Sequence, residues 1–182
     1  AYTIHPAFVL RSPKWRSVFQ NDIARALRFF RGELTWVDPE IEFISSLPQL
    51  HRSLAKLRLA GELVAYDVET DAKNPLDANL RCVALANTKY SIVIPFLSID
   101  GKTHSFDPQT EIDIRDMLCS FLEDNLSKLV GHNAGQYDRL VIENTLGVTP
   151  KLDADTLLMH LLADNEMPHN LGFVTSVYTD FV

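Results

Sequence analysis

Two acidic side chains stand at the end of an apolar stretch, Leu63 to Thr70, which reads LVAYDVET. Its first four residues are apolar, as in a buried central strand, and Asp67 and Glu69 follow with one residue between them. Because side chains alternate across a strand, both carboxylates lie on the same face. Two like charges at such a short distance repel each other unless a cation lies between them. The pair therefore predicts a divalent metal site, and hard oxygen ligands favour Mg²⁺ or Mn²⁺ over zinc.

A second acidic position is Asp138, in the segment GHNAGQYDRLVIEN. Helical periodicity begins near Tyr137, so Asp138 lies in the first turn of a helix, where the helix dipole stabilises a carboxylate. The dipole is by itself a sufficient structural explanation, as a loop role is for Asn133. A chemical role for Asp138 therefore depends on a fold that brings it close to the first pair of carboxylates.

Length and composition are those of an ordinary soluble globular protein. The 182 residues are 46% hydrophobic and 23% charged, with a formal net charge of −7. This charge argues against a broad basic surface for nucleic acid but is compatible with a metal–carboxylate site. No apolar run approaches the ~20 residues of a membrane span, and no signal peptide is evident, so we expect no membrane contact and a cytoplasmic location. Cys82 and Cys119 are not spaced as a metal knuckle.

The segments before the acidic strand are predicted to deliver the chain into it. Residues 1–34 are expected to contain a strand end at 2–4, a loop that starts at His5-Pro6, and a helix from about residue 15 to 31. An Asp-Pro turn at 35–40 is the best domain boundary. A strand at 41–44 and a helix at 47–59 then lead directly into Leu63.

The segments after the acidic strand alternate between strands and helices. Strands at 80–86 and 90–96 are joined by a hairpin-length connection, which predicts an antiparallel meander with 63–70. We expect a helix at 112–125, a short buried strand at 128–130 and a helix from about 137. Asp155 is predicted to cap a helix at 157–163, and a last helix covers 171–178.

Together, DVET and HNAGQYD resemble the first and second motifs of the DEDD superfamily of 3′–5′ exonucleases, in particular the proofreading domains of bacterial and bacteriophage family A DNA polymerases. The resemblance covers roughly residues 41–182 and extends to the stretch LDADTLLMHLLAD. It implies an α/β fold with an RNase H-like mixed sheet and flanking helices. It also implies two divalent cations, Mg²⁺ or Mn²⁺, which activate the attacking water and stabilise the leaving 3′ oxygen.

The resemblance assigns roles to particular residues. Asp67 would bridge both ions, Glu69 would help to hold the first, and Asp138 would lie on the side of the second. Residues near the 3′ end of a single-stranded DNA substrate would be Thr70, Leu76, Asn133 and Tyr137. The implied context is DNA replication and repair, with a polymerase domain C-terminal to these residues. Since the superfamily also contains enzymes that act on RNA, both substrates stay open.

One family motif is missing. Family members carry a fourth carboxylate on a later helix, preceded four residues earlier by a tyrosine or histidine. Tyr178 has Val182 four residues on, and Asp180 has the wrong spacing. We expect the chain to be an excerpt of a longer protein, truncated at its C-terminal end, which binds metal weakly and cleaves slowly or not at all. The alternative is a catalytically incomplete nucleic-acid-binding or scaffold module of the same fold.

A separate resemblance concerns the first 34 residues. TIHPAFVLRSP is similar to the second conserved motif of uracil-DNA glycosylases of the iron–sulfur branch, which implies that His5 contacts an extruded uracil. Ala7 replaces a serine, and the water-positioning motif and cluster cysteines are absent, so this remnant cannot act alone. A chance His-Pro and a glycosylase–polymerase fusion are both open. The expected domains are a remnant at 1–34, a linker at 35–40 and an exonuclease-like domain at 41–182.

Overall fold

A computed structural model describes residues 3–34, 39–59, 63–124 and 126–180. The chain divides into two compact units, one of Ala1–Asp38 with Leu157–Val182 and the other of Pro39–Thr156. Of the predicted linker 35–40, residues 35–38 lie outside the described ranges, and so does the start of the strand end predicted at 2–4. Within the described ranges, no helix is long and apolar enough to cross a membrane.

Seven α-helices, a short 3₁₀ helix at Pro13–Trp15 and six strands make up the described structure. In chain order, the helices are α1 (Pro6–Arg11), α2 (Arg16–Phe30), α3 (Leu47–Leu59), α4 (Pro108–Glu123), α5 (Asp138–Leu146), α6 (Thr156–Ala163) and α7 (Leu171–Tyr178). The strands are β1 (Glu40–Phe43), β2 (Leu63–Thr70), β3 (Leu80–Ala86), β4 (Tyr90–Pro95), β5 (Lys128–Gly131) and β6 (Leu152–Asp155). The element types and approximate positions predicted for 41–59, 63–96 and 137–146 are therefore confirmed.

The six strands form one mixed sheet in the order β1-β4-β3-β2-β5-β6. Strands β2, β3 and β4 are an antiparallel meander, as the short connection between β3 and β4 predicts. Strand β1 pairs in parallel with β4, and β5 pairs in parallel with both β2 and β6. The acidic strand β2 is thus central, with β3 on one side and β5 on the other, and the α/β class is confirmed.

The core of the sheet unit lies on one side of β2. Val64, Tyr66 and Val68 are buried, whereas Asp67 and Glu69 on the opposite face are exposed. Helices α3 and α4 cover this apolar side with buried residues that recur at helical spacing, namely Leu50, Leu54 and Leu57 of α3 and Ile114, Leu118 and Phe121 of α4. Burying a side chain of this size contributes about 1.5–3 kcal/mol. The alternation predicted for LVAYDVET therefore fixes which face is free for chemistry.

Two predictions near the N-terminus are wrong. Thr3 and Ile4 are not in a strand, and Pro6 begins α1 rather than a loop. The His5 Nδ1 atom accepts a hydrogen bond from the Ala7 N–H at 3.1 Å, which caps the helix. Proline suits the first helical position because its missing N–H has no helical partner there. The same pattern recurs at α4, which starts four residues before the predicted position because Asp107 caps it.

The prediction for residues 152–156 is incomplete. Leu152–Asp155 forms strand β6, which pairs in parallel with β5, and Asp155 directly precedes α6. The helix at 156–163 is confirmed. Pairing with a neighbouring strand here outweighs the low strand propensity of a segment in which two of four residues are aspartate.

In the other unit, α2 is joined to the end of α7 by arginines. The Arg25 guanidinium donates to the carbonyls of Ser176 and Thr179 at 2.5 and 2.7 Å. Arg28 forms a bidentate pair with Asp180 at 3.0 and 2.9 Å. A guanidinium stabilises a helix C-terminus because it donates hydrogen bonds to carbonyls that lack helical partners, and because its positive charge is attracted by the negative end of the helix dipole. Helix α2, which lies in the segment predicted as a glycosylase remnant, therefore contacts the residues that follow α7.

Candidate functional site

The candidate site begins at the carboxyl end of β2. Asp67 and Glu69 lie on its exposed face, and their partners on β3 are Ala84 and Cys82. Side chains of directly opposed residues in an antiparallel pair share a face. The two carboxylates are therefore bordered on the β3 side by small side chains, which leaves space above them.

Asp138, the first residue of α5, is brought to the same place by a hydrogen bond. The Asp138 Oδ1 atom accepts from the Val68 N–H at 3.0 Å, and Asp138 is only 7% exposed. Strand β5 pairs with β2 only as far as Ala65, and no other strand of the described ranges pairs in parallel with β2 beyond that point. The Asp138 carboxylate takes over there as acceptor. Since Val68 lies between Asp67 and Glu69, the third carboxylate joins the first two.

The electrostatics of the three carboxylates reflect this closeness. Partial burial of the carboxyl, together with the charges of Asp138 and Glu69, raises the pKa of Asp67 to about 6. Burial likewise raises the pKa of Asp138, although the Val68 N–H opposes that shift. The charges of Asp138 and Glu69 therefore make ionisation of Asp67 more costly, which is the environment that a divalent cation relieves.

The donor set fits Mg²⁺ or Mn²⁺ in kind. Carboxylate oxygens are the ligands that these hard cations prefer, and three of them meet at the end of one strand. Within the described ranges, however, no group of three or more His, Cys, Asp or Glu side chains is arranged as a ready metal-binding set. Sharing an ion therefore requires rotation of exposed side chains such as Asp67 and Glu69.

Two residues predicted to lie near a substrate contact each other. The Tyr137 hydroxyl and the Thr70 hydroxyl are 2.5 Å apart, and either can be the donor. Each hydroxyl also lies within hydrogen-bond distance of the Ala72 carbonyl, Thr70 Oγ1 at 3.0 Å. Because each hydroxyl has a single proton, the one that donates to the other hydroxyl cannot also donate to this carbonyl. Both residues thus fix the start of the loop 71–79 beside the carboxylates.

Asn133 and Leu76 complete the predicted set in the sheet unit. Asn133 has a left-handed backbone with φ 60°, which asparagine tolerates better than most residues. Its N–H donates to Asp155 Oδ1 at 2.9 Å. Leu76 is 66% exposed in the loop 71–79, and its carbonyl accepts from Asn144 Nδ2 at 3.1 Å. Asn133 follows β5 and Leu76 follows β2, so both belong to segments that leave the carboxyl ends of neighbouring parallel strands.

His5 lies in the other compact unit. Its imidazole is exposed and caps α1 through Nδ1. This capping bond gives His5 a structural role that its position before proline could have suggested.

Sequence reasoning missed the contribution of Asp155 to the site. Asp155 is 8% exposed, its carboxylate holds the Asn133 N–H, and its charge helps to raise the pKa of Asp138. The residues of LDAD alternate between apolar and acidic, but four residues of which two are aspartate do not by themselves predict a strand. Asn144 was also missed, and no sequence pattern marks it.

No protein-family model matches the sequence, and a comparison with curated protein sequences finds no match. Solved structures do match. The catalytic core of RRP6 from Trypanosoma brucei has a TM-score of 0.58 at 15% identity, over 80% of this chain and 36% of that one. NrnC from Brucella melitensis bound to pGG has a TM-score of 0.56 at 22% identity, over 79% and 62%. The Aedes aegypti Nibbler EXO domain has a TM-score of 0.56 at 11% identity, over 80% and 71%.

A second structure of the Brucella protein, with bound Mg²⁺, matches with a TM-score of 0.52 at 19% identity, over 76% of this chain and 61% of that one. The chain therefore spans between about a third and three fifths of the length of the trypanosomal and bacterial proteins. These neighbours are a catalytic core, an EXO domain and a protein that binds Mg²⁺ and pGG. The mixed sheet with flanking helices matches their RNase H-like fold, which confirms the predicted fold class.

Proposed function

We propose that the chain carries a metal-dependent 3′–5′ exonuclease site, in which Asp67, Glu69 and Asp138 hold two divalent cations, Mg²⁺ or Mn²⁺. The observation that carries the proposal is the hydrogen bond from the Val68 N–H to Asp138, which gathers three carboxylates at the end of β2. The fold supports it, because a neighbour of the same fold holds Mg²⁺ and binds the dinucleotide pGG. Two ions in such a site activate a water and stabilise the leaving 3′ oxygen.

The residues around the carboxylates would receive the end of the strand. The hydrogen bond from the Val68 N–H fixes Asp138 to β2, so the negative charge of the Asp138 carboxylate stays next to Asp67. The Thr70–Tyr137 pair and the loop that carries Leu76 form one border of the site. Asn133 forms another, where β5 turns toward α5. The proposed substrate is a single-stranded 3′ end, because a terminal phosphodiester must reach carboxylates that lie on an open strand face.

The finer proposal is proofreading of DNA beside a family A polymerase domain in the same parent protein. Its support is the resemblance of DVET and HNAGQYD to those domains. None of the solved structures named above is described as a polymerase domain, and the bound ligand of NrnC is pGG. A comparison of DNA and RNA oligonucleotides of the same sequence therefore belongs in every assay. The glycosylase remnant at 1–34 and an intracellular location stay predictions.

A non-catalytic nucleic-acid-binding module is the second candidate. It is favoured by the lack, within the described ranges, of a ready set of three metal ligands. Such a module would bind a single strand through the same edge of the sheet but leave it intact. Cleavage and binding must therefore be measured on the same preparation.

The decisive experiment combines Mn²⁺ titration with hydrolysis of a 5′-labelled single strand. We expect two Mn²⁺ ions to bind when the strand is present, and slow shortening from the 3′ end by single nucleotides. Asp67→Ala should reduce both binding and cleavage by about a hundredfold or more. Asp116→Ala, which removes an exposed carboxylate on α4, is the matched control. Binding without cleavage would favour the second candidate, and Mn²⁺ binding unchanged by Asp67→Ala would refute the proposed site.

A further inference from the structure

The loop 71–79, which follows the acidic strand, is closed at its base by side chains. The Asp71 carboxylate accepts from the Asn79 N–H and from Asn79 Nδ2, both at 2.8 Å. The Ala72 carbonyl is bonded by Thr70 and Tyr137. The two ends of the loop are therefore fixed to each other and to the start of α5.

The tip of the loop is a turn with its own hydrogen bonds. The Asp77 N–H donates to the Asn74 carbonyl at 3.1 Å, and Asn74 Nδ2 donates to Asp77 Oδ2 at 2.5 Å. Asn74 Oδ1 accepts from the Leu76 N–H at 3.3 Å. These bonds give the tip a shape, but they do not determine where it lies relative to α5.

Asn144 supplies the connection between the tip and α5. Its Nδ2 atom donates to the Leu76 carbonyl at 3.1 Å, from an exposed position on the helix. Asn144 lies six positions after Asp138, which corresponds to about 9 Å along an α-helix. One rigid helix thus holds a carboxylate of the proposed site at its first residue and the loop tip nearly two turns later.

We propose that Asn144 is a positioning residue for the proposed exonuclease site. It fixes the tip of the loop 71–79 relative to α5, so that the exposed Leu76 side chain is already ordered when the terminal nucleotide packs against it. The inference rests on the proposed function. An apolar side chain that is 66% exposed gains more affinity from contact with a base when its backbone is already ordered, because ordering the loop on binding costs affinity. Asn144 lowers that cost.

Two substitutions distinguish the loss of the tether, the hydrogen bond from Asn144 Nδ2 to the Leu76 carbonyl, from damage to helix α5. Asn144→Ala removes the donor, and alanine is the better helix former, so α5 should be retained. Asn144→Asp keeps the shape but places a carboxylate oxygen against the Leu76 carbonyl. Asn165→Ala, which changes another exposed asparagine outside the loop and α5, is the control.

The first measurement is hydrogen exchange of the amides of 73–78. Since a single hydrogen bond is lost, both Asn144 variants should exchange about three- to tenfold faster there, while the control stays at the wild-type rate. The second measurement is the KM of Mn²⁺-dependent cleavage, or the Kd of the same oligonucleotide. We expect that constant to rise about three- to tenfold, with kcat changing less.

The outcomes distinguish the tether from the function. Unchanged exchange in both Asn144 variants would overturn the tether. Faster exchange with unchanged KM and Kd would overturn the positioning role and leave the proposed site intact. If the wild type binds neither Mn²⁺ nor the oligonucleotide, the proposed function fails and the positioning role fails with it.

Discussion

The carboxylate of Asp138 accepts a hydrogen bond from the main-chain N–H of Val68, at 3.0 Å and across 70 positions of sequence. Val68 is the buried residue between the two exposed carboxylates of β2, so the bond aligns the start of α5 with the acidic face. Asp138 thereby has two separable roles. Its carboxylate is the acceptor for a β2 N–H that lies beyond Ala65, the last residue of β2 that pairs with β5. The same carboxylate is the third negative charge of the candidate site.

Substitution of Asp138 should separate these roles. Asp138→Asn keeps a carbonyl oxygen for the Val68 N–H and removes the charge, so its free energy of unfolding should stay near the wild-type value. Asp138→Ala leaves a buried N–H without its acceptor and should lower the free energy of unfolding by about 1–3 kcal/mol. Urea unfolding measures both, and both variants should lose Mn²⁺-dependent cleavage. Equal stability of the two variants would show that this hydrogen bond does not stabilise the fold.

Removal of the Asp67 charge should have opposite effects with and without metal. Without metal, Asp67→Asn relieves repulsion from Asp138 and Glu69 and should raise the free energy of unfolding, by less than about 1 kcal/mol because solvent screens an exposed carboxylate. With Mn²⁺ at a hundred times its Kd, the wild type should gain about 2.7 kcal/mol that the variant does not. Thermal unfolding at several Mn²⁺ concentrations tests this. A variant that Mn²⁺ stabilises as much as the wild type would contradict the assigned ligand.

The turn between β5 and α5 should depend on the absence of a side chain at Gly131. A Cβ atom there would lie 2.2 Å from Cβ of Ala134, a fully buried residue. Gly131→Ala should therefore lower the free energy of unfolding by about 1–3 kcal/mol, since the packed turn must shift. The matched control is Gly135→Ala, where the nearest contact of a new Cβ is Leu152 Cδ2 at 3.8 Å. Urea unfolding of both should show a loss only for Gly131→Ala, and equal losses would refute the steric explanation.

Patterns of neighbouring residues in the sequence correctly predicted the individual strands and helices around the acidic strand. The alternation in 63–70, the short link between β3 and β4 and the leucine spacing of α3 each determine one element, and those elements are present. Strand β6 was missed because its four residues acquire strand structure only by pairing with β5. The approach of Asp138 to Val68 depends on where β5 stops pairing with β2, which no local pattern records. The residue types of the candidate site were therefore predictable, whereas their supports, Asp155 and Asn144, were not.

The stability of the fold in acid should depend on Glu42 in β1. Its carboxylate accepts from the Tyr90 hydroxyl, from Gln49 Nε2 at 2.7 Å and from Ser53 Oγ at 2.8 Å. Together these bonds, the one from Tyr90 above all, hold the pKa of Glu42 below its ordinary value of 4.5. A carboxyl whose pKa is lower in the folded state stabilises the fold above its unfolded pKa, and this contribution is lost as the pH falls through the folded pKa.

The free energy of unfolding should therefore fall below about pH 4.5, and Glu42→Gln should reduce that dependence. Urea unfolding between pH 3 and 7 measures the slope for the wild type, for Glu42→Gln and for Glu166→Gln, a control at an exposed glutamate. At pH 7, Glu42→Gln should also be less stable by about 1–3 kcal/mol, because the three donors reach both carboxylate oxygens, whereas an amide accepts at one oxygen only and turns its NH2 group toward at least one of the donors. If Glu42→Gln and the wild type lose stability equally in acid, the pH dependence comes from other carboxylates, and Glu42 is only a hydrogen-bond acceptor between β1, α3 and β4.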